Sequence, residues 1–137
     1  YAAFAEKVVE TKCAVLDFLI AARRGGKTVA GYGAPGKGNT LLNYCGVTRD
    51  LFAFTVDRNP YKQGRFLPGS RIPIHAPERI AEARPDYVVI MPWNLREEIA
   101  AQLAHVAGWG GKLVVFIPEV EIFAPASSAR SRVVTPA

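Results

Sequence analysis

Gly31, Gly33 and Gly36 stand in the run Gly31-Tyr32-Gly33-Ala34-Pro35-Gly36-Lys37-Gly38, which follows a short apolar segment and leads into Asn39-Thr40-Leu41-Leu42. Glycines let a backbone turn tightly and approach a ligand, and the first amides of a helix lack acceptors and carry partial positive charge. Strand, glycine turn and helix start, in that order, form an anion pocket whose natural guest is a phosphate or diphosphate. The spacing is the G-x-G-x-x-G dinucleotide pattern. Asp57 lies 21 residues past Gly36, at a predicted strand end where an acid accepts hydrogen bonds from ribose hydroxyls. A tight turn with no ligand is the plain alternative, and Pro35 removes one donor from the cradle.

Neighbouring chemistries fit less well. Gly31 and Gly36-Lys37 nearly form a P-loop, but Gly38 stands where Ser or Thr would hold magnesium, which speaks against a nucleotide hydrolase. Lys37 can still meet a phosphate as a point charge, with an exposed lysine as the other reading. An S-adenosylmethionine loop prefers an acid two positions before its first glycine, and Val29 occupies that position. Trp93 could stack on a base or pack on a partner domain. Asn94 could read a polar edge, although capping a helix is the favoured reading. Tyr61, Lys62, Gln63 and Arg65 make a loop able to reach phosphate or simply to sit in solvent. His75 and His105 read as structural, and Glu119 and Glu121 as a solvated strand end. No Ser-His-Asp or Cys-His arrangement is recognisable, so no catalytic residue is assigned. Cys13 and Cys45 match no metal-ligand spacing; they read as buried thiols of a cytosolic protein, and no metal site is expected.

The elements that must position these residues follow from periodicity. Residues 1 to about 24 read as a helix, with Phe4, Val8, Leu16 and Ile20 as its apolar positions and Gly25-Gly26 as its stop. A strand runs to about Tyr32, then the glycine loop, then a helix to about Cys45. Leu51 to Val56 is a second strand, and Arg58 to Ser70 a loop. Ile72 and Ile74 flank Pro73, which places their strand at an edge. Pro77 and Glu78 open a helix to about Ala83. Tyr87 to Met91 is a fully apolar strand. Asn94 with Glu97 resembles a capping box for a helix that buries Leu95, Ile99, Leu103 and Val106, and Leu113 to Ile117 is the last strand. From about Ala124 the composition reads as a loose tail, leaving 1–123 as one domain. The expected fold is α/β: a Rossmann-like three-layer arrangement with a mainly parallel five-stranded sheet of order 3-2-1-4-5, preceded by a helix. Ligands then sit beyond the strand ends at the switch point, which draws together Gly33 to Asn39, Asp57 to Asn59, and Pro92 to Asn94.

Bulk properties agree with a single soluble domain. A chain of 137 residues buries roughly 68% of its unfolded surface. The net charge of +5 comes with Lys37, Arg58, Lys62, Arg65 and Arg71 beside predicted loops, a bias toward a small anion. Neither a nucleic-acid motif nor an apolar run of membrane-spanning length accompanies it. The start at Tyr1 fits a fragment of something longer, as well as processing or an engineered start.

Seven blocks in order carry a family resemblance: Gly31-Tyr32-Gly33-Ala34; Lys37 to Asn43; Val56-Asp57-Arg58-Asn59-Pro60 through Gly64; Leu67-Pro68-Gly69 with Ile72-Pro73-Ile74; Pro85-Asp86-Tyr87; Trp93-Asn94 with Glu97-Glu98-Ile99; and Gly110-Gly111-Lys112. Over about residues 4 to 123 the chain resembles the C-terminal domain of S-adenosylmethionine-dependent sugar C-methyltransferases. The resemblance implies an upstream zinc-bearing region and a middle methyltransferase domain that holds both S-adenosylmethionine and the base. It implies a nucleotide-linked keto deoxysugar as substrate, deprotonated beside its ketone so that the enolate attacks the methyl group. This C-terminal domain then helps enclose the nucleotide sugar, is cytoplasmic, and is inactive by itself. By the same resemblance, Gly33, Ala34, Pro35, Gly36, Lys37, Gly38, Asn39, Trp93 and Asn94 are assigned to phosphate or nucleotide contact, with Asp57 and Asn59 behind them. The competing reading is a stand-alone dinucleotide- or coenzyme A-binding regulatory module, and the third an interaction domain with an empty glycine turn.

Overall fold

A computed structural model describes residues 2 to 125. Its elements in chain order are α1 (Ala2–Arg24), β1 (Val29–Tyr32), α2 (Gly36–Cys45), β2 (Thr55–Val56), β3 (Ile74–His75), α3 (Glu78–Ala83), β4 (Tyr87–Ile90), α4 (Arg96–Gln102), β5 (Lys112–Val115) and β6 (Glu121–Phe123). Short 3-10 turns at Trp93–Leu95 and Ala104–Trp109 flank α4. The sheet order is β3-β2-β1-β4-β5-β6, parallel throughout except for β6. The five expected strands are therefore present in the expected order, with β3 at an edge, and an antiparallel sixth is added beside β5.

The strands are apolar because both faces are covered. Val89 of β4 and Met91 just past it enter the core under α1 and α2, while Val88 and Ile90 enter the core under α3 and α4. Val114 of β5 and Phe116 just past it join the first core, Leu113 and Val115 the second. This two-residue alternation is the pleat dividing one continuous apolar run between two layers.

Several local expectations need correction. Helix α1 buries Val15, Leu19 and Ala22 completely or nearly so, whereas Phe4 is 72% and Ile20 39% exposed. The buried stripe is displaced from the one expected, because Ile20 points away from the sheet. Cys45 is buried, and burial pushes its thiol above the ordinary value; Cys13 is exposed. Leu95 is exposed while Ile99, Leu103 and Val106 are buried. Asn94 caps nothing: the Leu95 amide donates to the Pro92 carbonyl (2.8 Å), which draws Asn94 into the 3-10 turn and moves the cap position to Leu95. Residues 126–137, most of the expected tail, lie outside those described.

Strand β6 explains Glu121. Its carboxylate accepts two hydrogen bonds from the Arg96 guanidinium, each 2.9 Å, and the same guanidinium lies 4.3 Å from the centre of the Phe123 ring. The Arg96 hydrogen bonds hold the Glu121 carboxyl below its ordinary range. A depressed folded value means the stabilisation is present above the ordinary carboxylate range and is lost as pH falls through the folded value. Arg96→Met should cost about 0.5–1 kcal/mol near neutral pH, the small size reflecting solvent screening of a half-exposed pair. Urea unfolding should show that difference narrowing as pH is taken below the carboxylate range.

Candidate functional site

The loop between β1 and α2 is fixed by hydrogen bonds to the next strand. The Gly33 amide donates to the Val56 carbonyl (2.6 Å), and the buried Thr55 hydroxyl donates to the Gly33 carbonyl (2.7 Å). The Ala34 amide donates to Oδ2 of Asp57 (2.9 Å), whose Oδ1 accepts the Asn59 amide (2.8 Å). The Lys62 ammonium donates to the Ala34 carbonyl (2.9 Å), and the Gln63 side-chain amide to the Asp57 carbonyl (2.8 Å). Lys62 and Gln63 thus fasten the loop. Asn59 takes part in the same turn, its side-chain oxygen accepting the Tyr61 amide (2.9 Å).

Helix α2 begins at Gly36, with Pro35 in extended geometry at the cap position and no side-chain cap. Its first intrahelical partner is the Asn39 amide, bonded to the Pro35 carbonyl at 3.0 Å. The amides of Gly36, Lys37 and Gly38 therefore have no acceptor within the helix; Gly36 and Lys37 are exposed at the C-terminal edge of the sheet, and Gly38 is buried behind them. Pro35 costs the cradle a donor only at its outer lip.

Three glycines of this segment meet different surroundings. Gly33 has φ +98°, and a Cβ there would lie 2.7 Å from Pro92. A Cβ on Gly38 would meet Met91 at 2.7 Å, so Gly38 lets α2 pack on the end of β4. Gly36, third in the pattern, has nothing within 4 Å of its would-be Cβ. A side chain there would meet no packed atom.

The three segments expected at the switch point do converge. Pro92 abuts Gly33, the Lys37 ammonium lies 5.5 Å from the centre of the half-buried Trp93 ring, and Asp57 holds Ala34. Asn94 is exposed and has no recorded side-chain hydrogen bond. Asn39 carries an Oδ1 that is buried and unpartnered, singular among the described residues.

Beside Gly33 lies a cavity of about 280 Å³, lined in part by Tyr32, Asp57, Arg58, Pro92, Ile99 and Gln102. A second hollow of about 420 Å³ shares Tyr32, Arg58 and Gln102 with it and reaches His105. The Tyr32 hydroxyl donates to Oε1 of Gln102 (2.9 Å). Burial pushes the Tyr32 phenol up, against the pull of Arg58 and with that of Asp57, so it stays a neutral donor. Arg58 was expected only as a loop cation in the Asp57 to Asn59 segment, and Gln102 was not singled out from sequence. The signal available was positional: Arg58 follows Asp57 at a strand end, and Gln102 lies three residues past Ile99 on one helix face.

Among the described residues no group of three or more His, Cys, Asp or Glu side chains could hold a metal ion. No helix among the described residues is long and apolar enough to cross a membrane. Two positions bear on S-adenosylmethionine at this glycine loop. Asp57, the acid placed to hold a ribose diol, has both carboxylate oxygens on backbone amides, and Val29 is a buried strand residue where an acid would stand.

A doubly wound sheet with a glycine turn at its switch point defines a Rossmann-like fold. A model of the C-methyltransferase C-terminal domain matches residues 1–118, and the chain belongs to that family. It is 38% identical over 128 residues to the C-methyltransferase NovU of Streptomyces niveus, a match covering 93% of this chain and 30% of that relative. The chain thus spans under a third of the curated relative's length. The solved structure of UDP-D-quinovosamine 4-dehydrogenase from Vibrio fischeri overlaps at a TM-score of 0.49 with 20% identity, over 68% of this chain and 79% of that one. At that score the likeness carries nothing further about this chain.

Asp57 acts on the loop through two amides, and an amide side chain offers only one acceptor oxygen. Asp57→Asn should therefore leave the Ala34 or Asn59 amide unpaired and cost about 1–2 kcal/mol. Urea unfolding would read the loss, and hydrogen exchange should quicken at Gly33 to Lys37 before it does in the sheet.

Proposed function

We propose that this chain is the substrate-enclosing domain of an S-adenosylmethionine-dependent C-methyltransferase acting on a nucleotide-linked keto deoxysugar. The diphosphate sits at the start of α2, against the amides of Gly36, Lys37 and Gly38 and the Lys37 ammonium. Gly33, Ala34 and Pro35 shape the turn that presents them. The nucleoside extends toward Trp93 and the cavity beside Tyr32 and Arg58. Asp57 and Asn59 hold the loop rather than the ligand, and Asn94 lies at the rim. The methyl donor, the catalytic base and the zinc-bearing region belong to other parts of a longer chain, and the assembled enzyme works in the cytoplasm.

The observation that carries this reading is the trio of free amides beside an open Gly36. A helix start whose first donors have no helical acceptor favours an anion by fixed geometry and partial charge, and Gly36 and Lys37 are exposed there. The unpartnered Oδ1 of Asn39 supports it independently. A buried acceptor without a donor costs about 1–3 kcal/mol, and a sugar hydroxyl would satisfy it. The cavity, about 280 Å³, is at the small end of ligand sites, as suits a domain that covers one side of its ligand. The engaged carboxylate of Asp57 disfavours the alternative of a stand-alone dinucleotide module.

Gly36→Ala and Asn39→Ala separate binding from folding. Each should leave stability unchanged or raise it by about 0.5–1 kcal/mol, since one adds a methyl in open space and the other removes an orphaned oxygen. Each should also weaken thymidine diphosphate binding at least tenfold, as should Lys37→Ala. Titration calorimetry on the gene-encoded chain would test this; unchanged affinity in all three variants overturns the site. Preference for NAD or coenzyme A over the sugar nucleotide would favour the regulatory module.

A further inference from the structure

Helix α1 has a stripe that outruns its partner. Phe4, Val8, Thr11, Val15, Leu19 and Ala22 follow one another at three- and four-residue steps, so they share one face. Val15, Leu19 and Ala22 are buried in the core beneath α1. Thr11 and Val8 are half-buried, and Phe4 is 72% exposed. The face that packs on the domain therefore continues toward the N-terminus as an uncovered apolar strip, Phe4 lying about 16 Å along the helix from Val15.

We propose that this strip, Phe4 and Val8, is covered by the polypeptide segment that precedes the domain in the longer architecture of its family. Continuity is the first argument, since one helix face has a partner for its second half only. Size is the second. One phenyl ring and the flank of a valine offer on the order of 200 Å², whereas a standard interface takes about 800 Å² from each partner. So small a patch does not hold a separate molecule, including a second copy. A segment joined covalently at the same helix end is present at an effective concentration in the millimolar range and needs no more. The third argument is length: the matched relative has 70% of its length outside the alignment, and the family is a C-terminal domain, so that length precedes α1. The proposal rests on the architecture in the proposed function and not on its nucleotide site. Helix α1 becomes a strut: half is fixed in this domain and half in its neighbour, and it sets the angle between them.

Hydrogen exchange on the gene-encoded chain and on the 137-residue chain, at equal low concentration, tests it. Amides of residues 5–10 should exchange at least tenfold more slowly in the longer chain. Phe4→Ser should abolish that difference while leaving the melting of the 137-residue chain unchanged; Val8→Thr serves if the first variant does not fold. Equal exchange in both chains overturns the proposal, as does a gene with nothing upstream of residue 1. Protection that grows with concentration, with sedimentation showing a dimer lost in Phe4→Ser, overturns it in favour of a second copy. Thymidine diphosphate affinity measured on the same samples keeps the two readings apart, because retained binding with an unprotected strip sinks the docking alone.

Discussion

The peptide group joining Gly33 to Ala34 is held at both ends. Its carbonyl accepts the Thr55 hydroxyl and its N–H donates to Asp57, while the following carbonyl takes the Lys62 ammonium. A peptide is planar, so fixing both polar ends leaves little freedom in its orientation. That orientation decides where Pro35 points, and Pro35 decides where α2 begins. The site is thus hung from β2 and the loop after it. The acid that a sequence reader gives to ribose is spent on this task. Half-buried Asp57 combines two amide partners with a position at the base of the loop, which makes it a support for the turn.

Fixing the turn allows the helix to approach. A Cβ on Gly33 would collide with Pro92, and one on Gly38 with Met91. Both contacts lie on the segment that ends β4, so the two glycines let β1 and α2 close against that strand. Close packing here brings the free amides of α2 to the rim between β1 and β4. Trp93, carried on the 3-10 turn after Pro92, then lies within reach of Lys37. The same residues that pack the core at the strand ends also set the ligand edge.

Much of this was legible in the sequence. Strand order followed from alternation of apolar runs with helical periods, since buried parallel strands and their crossovers leave few arrangements. Gly33 and the neighbourhood of Asp57 and Trp93 were placed together by the switch-point rule alone. What escaped depended on tertiary partners. Strand β6 is three residues long and is held by Arg96, 25 positions away, which no local pattern announces. Asn94 and Glu97 have the spacing of a capping box, yet Pro92 starts a 3-10 turn that takes Asn94 out of the cap position. The glycine pattern does not include Gly38, yet the close packing on Met91 falls to it, because that contact depends on the end of β4. Gln102 has no motif; only the fold turns it toward the cavity it shares with Arg58.

A domain without reacting groups can still govern a reaction. Binding energy from parts of a substrate far from the reacting centre orients that centre and offsets the entropy of holding it. On the proposed reading, the diphosphate and nucleoside are such parts, and the α2 amides and the Tyr32–Arg58 hollow are where that energy is gained. Preorganisation matters more than strength here. Three amides fixed by a helix, on a loop fixed by Thr55, Asp57 and Lys62, reorganise little when the ligand arrives. A shift of the loop would move the whole ligand relative to groups on a neighbouring domain. Residues that never touch the sugar, Asp57 and Lys62 first among them, are therefore where turnover would be most sensitive to change without loss of the fold.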